Sequence, residues 1–178
     1  MASCSSLVAL SKECGKNVRA GLNSDVYLIS YEDLAYIAGS TEKYTSTQGL
    51  ISAIGVTASS KFVKYGTLVN QASIKEDYTY TETSGVFDIV KELTFTLTNL
   101  GSVDARAAVT NLIANPVAAL VKLKTGTWIA FGLNGQFMAK TIAGTVDTAS
   151  NGRVVTLSGS DTEFIQPVDP TIIASLIA

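Results

Sequence analysis

The stretch Lys91-Glu92-Leu93-Thr94-Phe95-Thr96-Leu97-Thr98 switches between polar and apolar at every step, with Leu93, Phe95 and Leu97 on one face. A period of two is that of a strand with one side in a core. Residues 86–90 are a further strand candidate. Residues 73–82 alternate as well, but there Ile74, Glu76, Tyr78, Tyr80 and Glu82 share one face and Ser73, Lys75, Asp77, Thr79 and Thr81 the other. Neither face is properly apolar, so this strand is expected to border solvent or a partner. Further strands are predicted at 25–30, 50–57, 62–68, 118–124, 128–133, 136–142 and 153–157. Asn134-Gly135 reads as a tight hairpin, because both residues tolerate positive φ, and Asn151-Gly152 as a second turn. Many short strands at even spacing point to a β-sandwich or barrel.

One helix stands out, over about residues 102–115. Ser102 can cap it, Asp104 sits near its positive end and Pro116 stops it. Ala105, Ala108, Val109, Leu112 and Ile113 form its apolar stripe. A shorter helical turn is expected around 31–36. The expectation is a mainly β chain, a β-sandwich or barrel with one amphipathic α-helix, folded as a single domain over 1–178. A chain of this length can bury about 70% of its unfolded surface, enough for a core without staples.

Two segments do not fit a simple core. Residues 39–49 are polar throughout, and a loop of that length is either a mobile surface loop or an assembly contact. The chain ends on Ile172-Ile173-Ala174-Ser175-Leu176-Ile177-Ala178, after Asp169-Pro170, which reads as a helix cap and first position. Ile172, Ile173, Leu176 and Ile177 share a helical face. Leaving them in water forgoes roughly 1.5–3 kcal/mol each. This end, 170–178, must therefore dock, on its own core or on a neighbouring copy.

Composition narrows the chemistry. The 178 residues include 13 Lys+Arg, 15 Asp+Glu and no histidine. No positive excess is present to neutralise a phosphate backbone. Lys61 and Lys64, and Lys122 and Lys124, are only pairs, of the kind found on solvated strand faces. Without histidine there is no Ser-His-Asp or Cys-His arrangement and no usual zinc set. Cys4 and Cys14 lack redox spacing and read as free thiols, a disulfide being the alternative. Glu76 and Glu82 lie about 20 Å apart along one strand, too far for a glycosidase pair. Gly159-Ser160-Asp161 is no nucleophile elbow, and Asp147, Asn151 and Gly152 lack calcium-loop spacing. No targeting segment, membrane span or Asn-x-Ser/Thr site is evident, which reads as a soluble product of a cytoplasm. No enzyme activity, cofactor or metal is expected.

Such a chain reads as a building block. Ser5-Ser6-Leu7-Val8-Ala9-Leu10-Ser11-Lys12-Glu13-Cys14-Gly15, Ala130-Phe131-Gly132-Leu133-Asn134-Gly135 and Pro167-Val168-Asp169-Pro170-Thr171-Ile172-Ile173-Ala174-Ser175 are similar to segments of tail tube proteins of tailed bacteriophages, especially phages of Bacteroidetes-type hosts. That resemblance implies a virion protein of tail-tube fold. Six copies would form a ring, and rings would stack into a tube that passes DNA without specific binding. It would meet other tail proteins such as the tape measure, the tail terminator and the baseplate or tip. It places Glu42, Lys43 and Tyr44, with Ile172, Ile173, Leu176 and Ile177, at assembly interfaces, and makes Glu76 and Glu82 candidates for the lumen. A carbohydrate- or surface-binding β module of a tail fibre or adhesin is the alternative. Exposed Trp and Tyr in a groove would favour it, whereas Trp128, set in an apolar run, reads as core.

Overall fold

The computed structural model describes residues 22–66, 72–82, 86–98, 103–146 and 151–178. Cys4, Cys14, the N-terminal segment quoted above, Ser102 and Asp147 lie outside them, as does the side chain of Ala105. Among the described residues the fold is mainly β, in two sheets with two α-helices and a 3-10 turn at Tyr31–Asp33. The strands are β1 (Leu22–Ser30), β2 (Tyr44–Thr47), β3 (Leu50–Ile54), β4 (Val63–Gly66), β5 (Ser73–Thr81), β6 (Val86–Thr98), β7 (Val117–Leu123), β8 (Trp128–Phe131), β9 (Met138–Val146), β10 (Asn151–Asp161) and β11 (Gln166–Val168). The helices are α1 (Val103–Ala114) and α2 (Pro170–Leu176). Seven strands make one sheet, in the order β2-β3-β11-β8-β7-β1-β4, and four make the other, β5-β6-β10-β9.

The larger sheet is apolar on both sides. Along β7, Val117, Ala119 and Val121 face one core while Ala118 and Leu120 face another. The first core lies between the sheets, where Leu93, Phe95, Val155 and Leu157 of the smaller sheet meet β1, β7 and β8, and α1 adds Val109 and Leu112. The second lies on the far side, under α2 and the segment after β1, and gathers Leu34, Ile51, Phe62, Ile173 and Leu176. A near-continuous apolar run is the expected signature of a strand covered on both faces.

The C-terminus docks on its own chain. Asp169 caps α2, its carboxylate accepting from the Thr171 N–H (2.8 Å) and hydroxyl (2.7 Å). Beyond the helix the chain bridges to Phe62, whose N–H donates to Leu176 O at 2.8 Å while Ala178 N–H donates to Phe62 O at 3.1 Å.

Several expectations are corrected. Residues 39–49 are not one loop. Tyr44–Thr47 is a strand that pairs with β3 through a two-residue turn, with Gln48 at φ 53° and Gly49 at φ 78°. Both central positions are left-handed, the hairpin geometry usually reached with Asn-Gly. Asn134-Gly135 does not close a hairpin either. Its turn, with Gly135 N–H donating to Gly132 O at 3.1 Å, carries the chain from β8 in one sheet to β9 in the other. Asn151 and Gly152 already belong to β10, paired with Val146 and Thr98. On α1, Ile113 is 61% exposed, so the stripe is narrower than expected.

Leu112→Ala should therefore cost about 2–5 kcal/mol in denaturant melts, as a buried leucine leaves a cavity. Ile113→Ala should stay within about 0.5 kcal/mol, as for surface changes generally. Deleting residues 172–178 should unfold the chain, since it strips the cover from the second core. A truncated chain with an unchanged melting profile would contradict this docking.

Candidate functional site

The smaller sheet is built to have one wet face. Leu93, Phe95 and Leu97 of β6 and Val155 and Leu157 of β10 point into the sandwich, and Glu92, Thr94, Val154, Thr156 and Ser158 between and beside them point out. The register sets Thr94 beside Thr156 and Glu92 beside Ser158, and the Thr94 and Thr156 hydroxyls are 3.1 Å apart. Thr79 of β5 and Thr141 of β9 continue this surface. Its charges are largely paired: Lys75 with Asp77, and Lys140 with Glu92. Lys140 sits where the register of β9 against β10 slips by one residue, a bulge that re-aims a side chain. Asp77 raises the Lys75 ammonium above its ordinary value, first by hydrogen bonding and then by charge. Ser160 hydroxyl donates to Asp88 at 3.1 Å. The outcome is a hydroxyl-rich wall with little net charge.

The two ends of this sheet are β5 and β9, nine residues each. Among the described residues no strand pairs with their outer edges. Their unpaired N–H and C=O groups are a template for another strand.

Beside the sheet opens a cleft of about 550 Å³. The expected assembly residues Glu42, Lys43 and Tyr44 line it, together with Tyr31, Tyr36, Asn134, Asp161 and Glu163. Lys43 is held rather than free. Its Nζ donates to Tyr31 O at 2.9 Å and lies 3.7 Å from the Tyr31 ring centre. The Tyr36 ring is 5.6 Å away on the same ammonium, a contact that aromatic faces make with cations. Tyr44 hydroxyl donates to Glu163 Oε2 at 3.3 Å. Burial, and next the charges of Glu163 and Asp161, push the Tyr44 hydroxyl up to about 12.

The other expected residues are placed differently. Ile173 and Leu176 are buried in the second core and Ile172 and Ile177 pack against it, so these four complete the chain's own fold. Glu76 shares a face with Ile74, which packs on the inter-sheet core, and its Oε1 accepts from the Ile165 N–H. It points into the sandwich. The wet face of β5 carries Lys75 and Asp77, so a wall formed by this sheet would not present Glu76. Glu82 lies exposed just past β5.

One feature was not picked out in the sequence, and a second only as Tyr78 and Tyr80, which read as packing across strands with stacking on sugars the alternative. Lys91, on the inner face of β6, is 5% exposed and contacts Asp161 at 2.7 Å. Position in an alternating strand was the available signal: Lys91 keeps parity with Leu93 and Phe95. The second is an exposed aromatic row, where Tyr78 stacks on Phe87 and on Phe164, each at 6.2 Å between centres. Trp128 is half-buried, against Tyr27 at 5.6 Å and packed on the second core.

Tyr44 gives a pH test. Its folded value lies above the free-tyrosine value of about 10, so its contribution to stability is intact below pH 10 and lost as pH rises towards 12. Alkaline melts should show that loss in the native chain and a smaller one in Tyr44→Phe. Identical pH profiles would remove Tyr44 from the cleft's electrostatics. No protein-family model, no curated protein and no solved structure matches the chain.

Proposed function

We propose that this chain is a structural protein of tail-tube type, assembling through its sheet edges into stacked rings whose bore passes DNA. The observation that carries the reading is the four-stranded sheet with two long open edges and one hydroxyl-rich face. Joining the β5 edge of one copy to the β9 edge of the next is a heterologous contact. Repeated around an axis it closes a ring and satisfies every edge group. Six copies, as the resemblance implies, would set twenty-four strands around the bore, four from each copy.

The same face suits a conduit. A duplex sliding past needs a wall that neither binds phosphate nor strongly repels it. Paired charges leave little field beyond a Debye length of about 8 Å, and serine and threonine hydroxyls exchange readily with water. The cleft beside Tyr44 lies next to the β2–β3 hairpin and would serve ring-to-ring contact in this arrangement.

The exposed Tyr78, Phe87 and Phe164 rings favour a second reading, a β module that binds carbohydrate or a cell surface, as in a tail fibre or adhesin. Stacked rings on a surface offer flat apolar faces of the kind sugars pack against. Under the assembly reading they lie at one end of β5 and would be covered by the adjacent copy.

Negative-stain microscopy of the purified chain separates the two. Rings or tubes are expected. Thr79→Pro in β5 and Thr141→Pro in β9, at the edges and not in the cores, should leave folded monomers, because proline removes a donor from the joining ladder. Monomers of the unaltered chain that bind a glycan array would support the second reading instead. In gel shifts the assembled protein should bind DNA no tighter than the non-specific range of about 10⁻⁴ to 10⁻⁶ M. Tighter binding that collapses with salt would overturn the conduit.

A further inference from the structure

Lys91 and Asp161 are placed like reactants. Lys91 projects from the middle of β6 into the sandwich, its side chain 6% exposed. It has Gly159 opposite on β10 and Glu76 opposite on β5, both by register. The crossing from β8 to β9 roofs it: a Cβ on Gly159 would lie 2.4 Å from Gln136 O and 2.9 Å from Phe137 Cα. Asp161, the last residue of β10, reaches back so that its Oδ2 is 2.7 Å from Lys91 Nζ. Its other oxygen, Oδ1, accepts from the N–H groups of Thr162 (2.8 Å) and Glu163 (3.3 Å).

We propose that Lys91 and Asp161 condense into an intramolecular isopeptide bond, with Glu76 as the proton relay. The pair as drawn is an ammonium and a carboxylate. One proton crosses the 2.7 Å contact, leaving a neutral amine beside a neutral acid. The amine lone pair then attacks Asp161 Cγ and forms the C–N bond. Negative charge gathers on Oδ1, where two backbone N–H groups already point, the arrangement that stabilises a tetrahedral oxyanion. Glu76 is the cross-strand neighbour of Lys91 on the same face, with Cβ atoms about 5 Å apart for such pairs. It takes the second proton from nitrogen and returns one to Oδ2. The Cγ–Oδ2 bond breaks and Oδ2 leaves as water. Two protons leave nitrogen and two reach oxygen; nothing is oxidised or reduced, and no co-reactant enters.

A held geometry converts an otherwise slow amide formation into an effectively unimolecular step. The enclosure of Lys91, whose side chain is 6% exposed, favours it by limiting the water that could reverse the reaction, while Asp161 faces the cleft. The product would fasten the end of β10 to the centre of its own sheet, at the point where the chain leaves for β11. The inference stands on this buried pair and is independent of the assembly reading.

Denaturing intact-mass spectrometry of the full-length folded chain is the test. The expected mass is that of the sequence less one water. Trypsin should then yield a branched peptide joining residues 76–106 to residues 154–178, because the acylated Lys91 is no longer cut. Lys91→Arg and Asp161→Ala should each show the full sequence mass, and Glu76→Gln should retain both partners yet slow the loss of water at least tenfold. A folded native chain at full sequence mass would overturn the proposal. So would loss of water that persists in Lys91→Arg, or that yields no branched peptide. Undiminished water loss in Glu76→Gln would overturn the relay.

Discussion

Strand β7 has no side that can meet water. From Val117 to Val121 every residue is buried, and successive side chains point to opposite faces of the sheet. A sheet with such a centre needs a lid on each side. The four-stranded sheet and α1 supply one. The other is assembled from short pieces, the turn at Tyr31–Asp33, Leu34, Phe62 and the C-terminal helix. This explains why a chain end, ordinarily polar and frayed, carries Ile173 and Leu176. They complete a core that the rest of the chain leaves open. It also explains the capping at Asp169, which starts a seven-residue helix too short to form alone. The Thr171 N–H and then its hydroxyl hold the Asp169 carboxyl below its ordinary value. The cap is accordingly intact above the free-aspartate range and weakens as pH falls through the lowered one.

The smaller sheet obeys the opposite rule. Only one of its faces is called on to cover β7, so the other is free to be polar, and the clean alternation of β6 records this. Parity then fixes which residues at the centre of β6 turn inward. Lys91 shares parity with Leu93 and Phe95 and is carried into the interior with them. A lone buried ammonium would be strongly destabilising, and Asp161 answers it. Glu76 is drawn inward by the same logic and bonds the Ile165 N–H. Asp161 and Glu76 thus hold the two ends of the 162–165 segment, which carries Glu163 to Tyr44 and Phe164 to Tyr78. The cleft and the aromatic row are both shaped by carboxylates that the sandwich has taken in.

Much of this was legible in the sequence where one local rule decides. The period of two placed β6, the alternation of polar residues marked β5 as a border strand, and Asp169-Pro170 announced α2. The misreadings have physical causes of the same kind. Gln48-Gly49 carries a weaker signal for positive φ than Asn-Gly, so β2 stayed hidden in a polar stretch while β3 was expected within 50–57. Asn134-Gly135 does make a turn, but turn chemistry says nothing about which sheet receives the next strand. Ile113 fits the helical period, yet among the described side chains of α1 only Val109 and Leu112 are covered fully. Glu76 and Glu82 share a face by count, but Glu76 is on the inner face of β5 and Glu82 lies exposed beyond the strand. Choosing between two half-polar faces depends on Ile74 meeting the inter-sheet core, a contact formed across the chain and not along it.

Open edges are hazardous for a protein that stays single, and such proteins usually defend them with charge, bulges or proline. Here the defences are partial. β5 carries Lys75 and β9 carries Lys140 with its bulge, and neither strand contains proline. Each lysine is neutralised within its own sheet, by Asp77 and by Glu92. An approaching strand therefore meets little repulsion and no missing donor over nine residues. The pairing leaves the two edges compatible with one another, since neither carries a net field that would turn the other away. Intramolecular salt bridges on an exposed sheet add little to its stability, so their larger effect lies in what they remove from the edge. A sheet closed on one face by its own core and blunted so lightly at both ends is suited to continuing into a copy of itself.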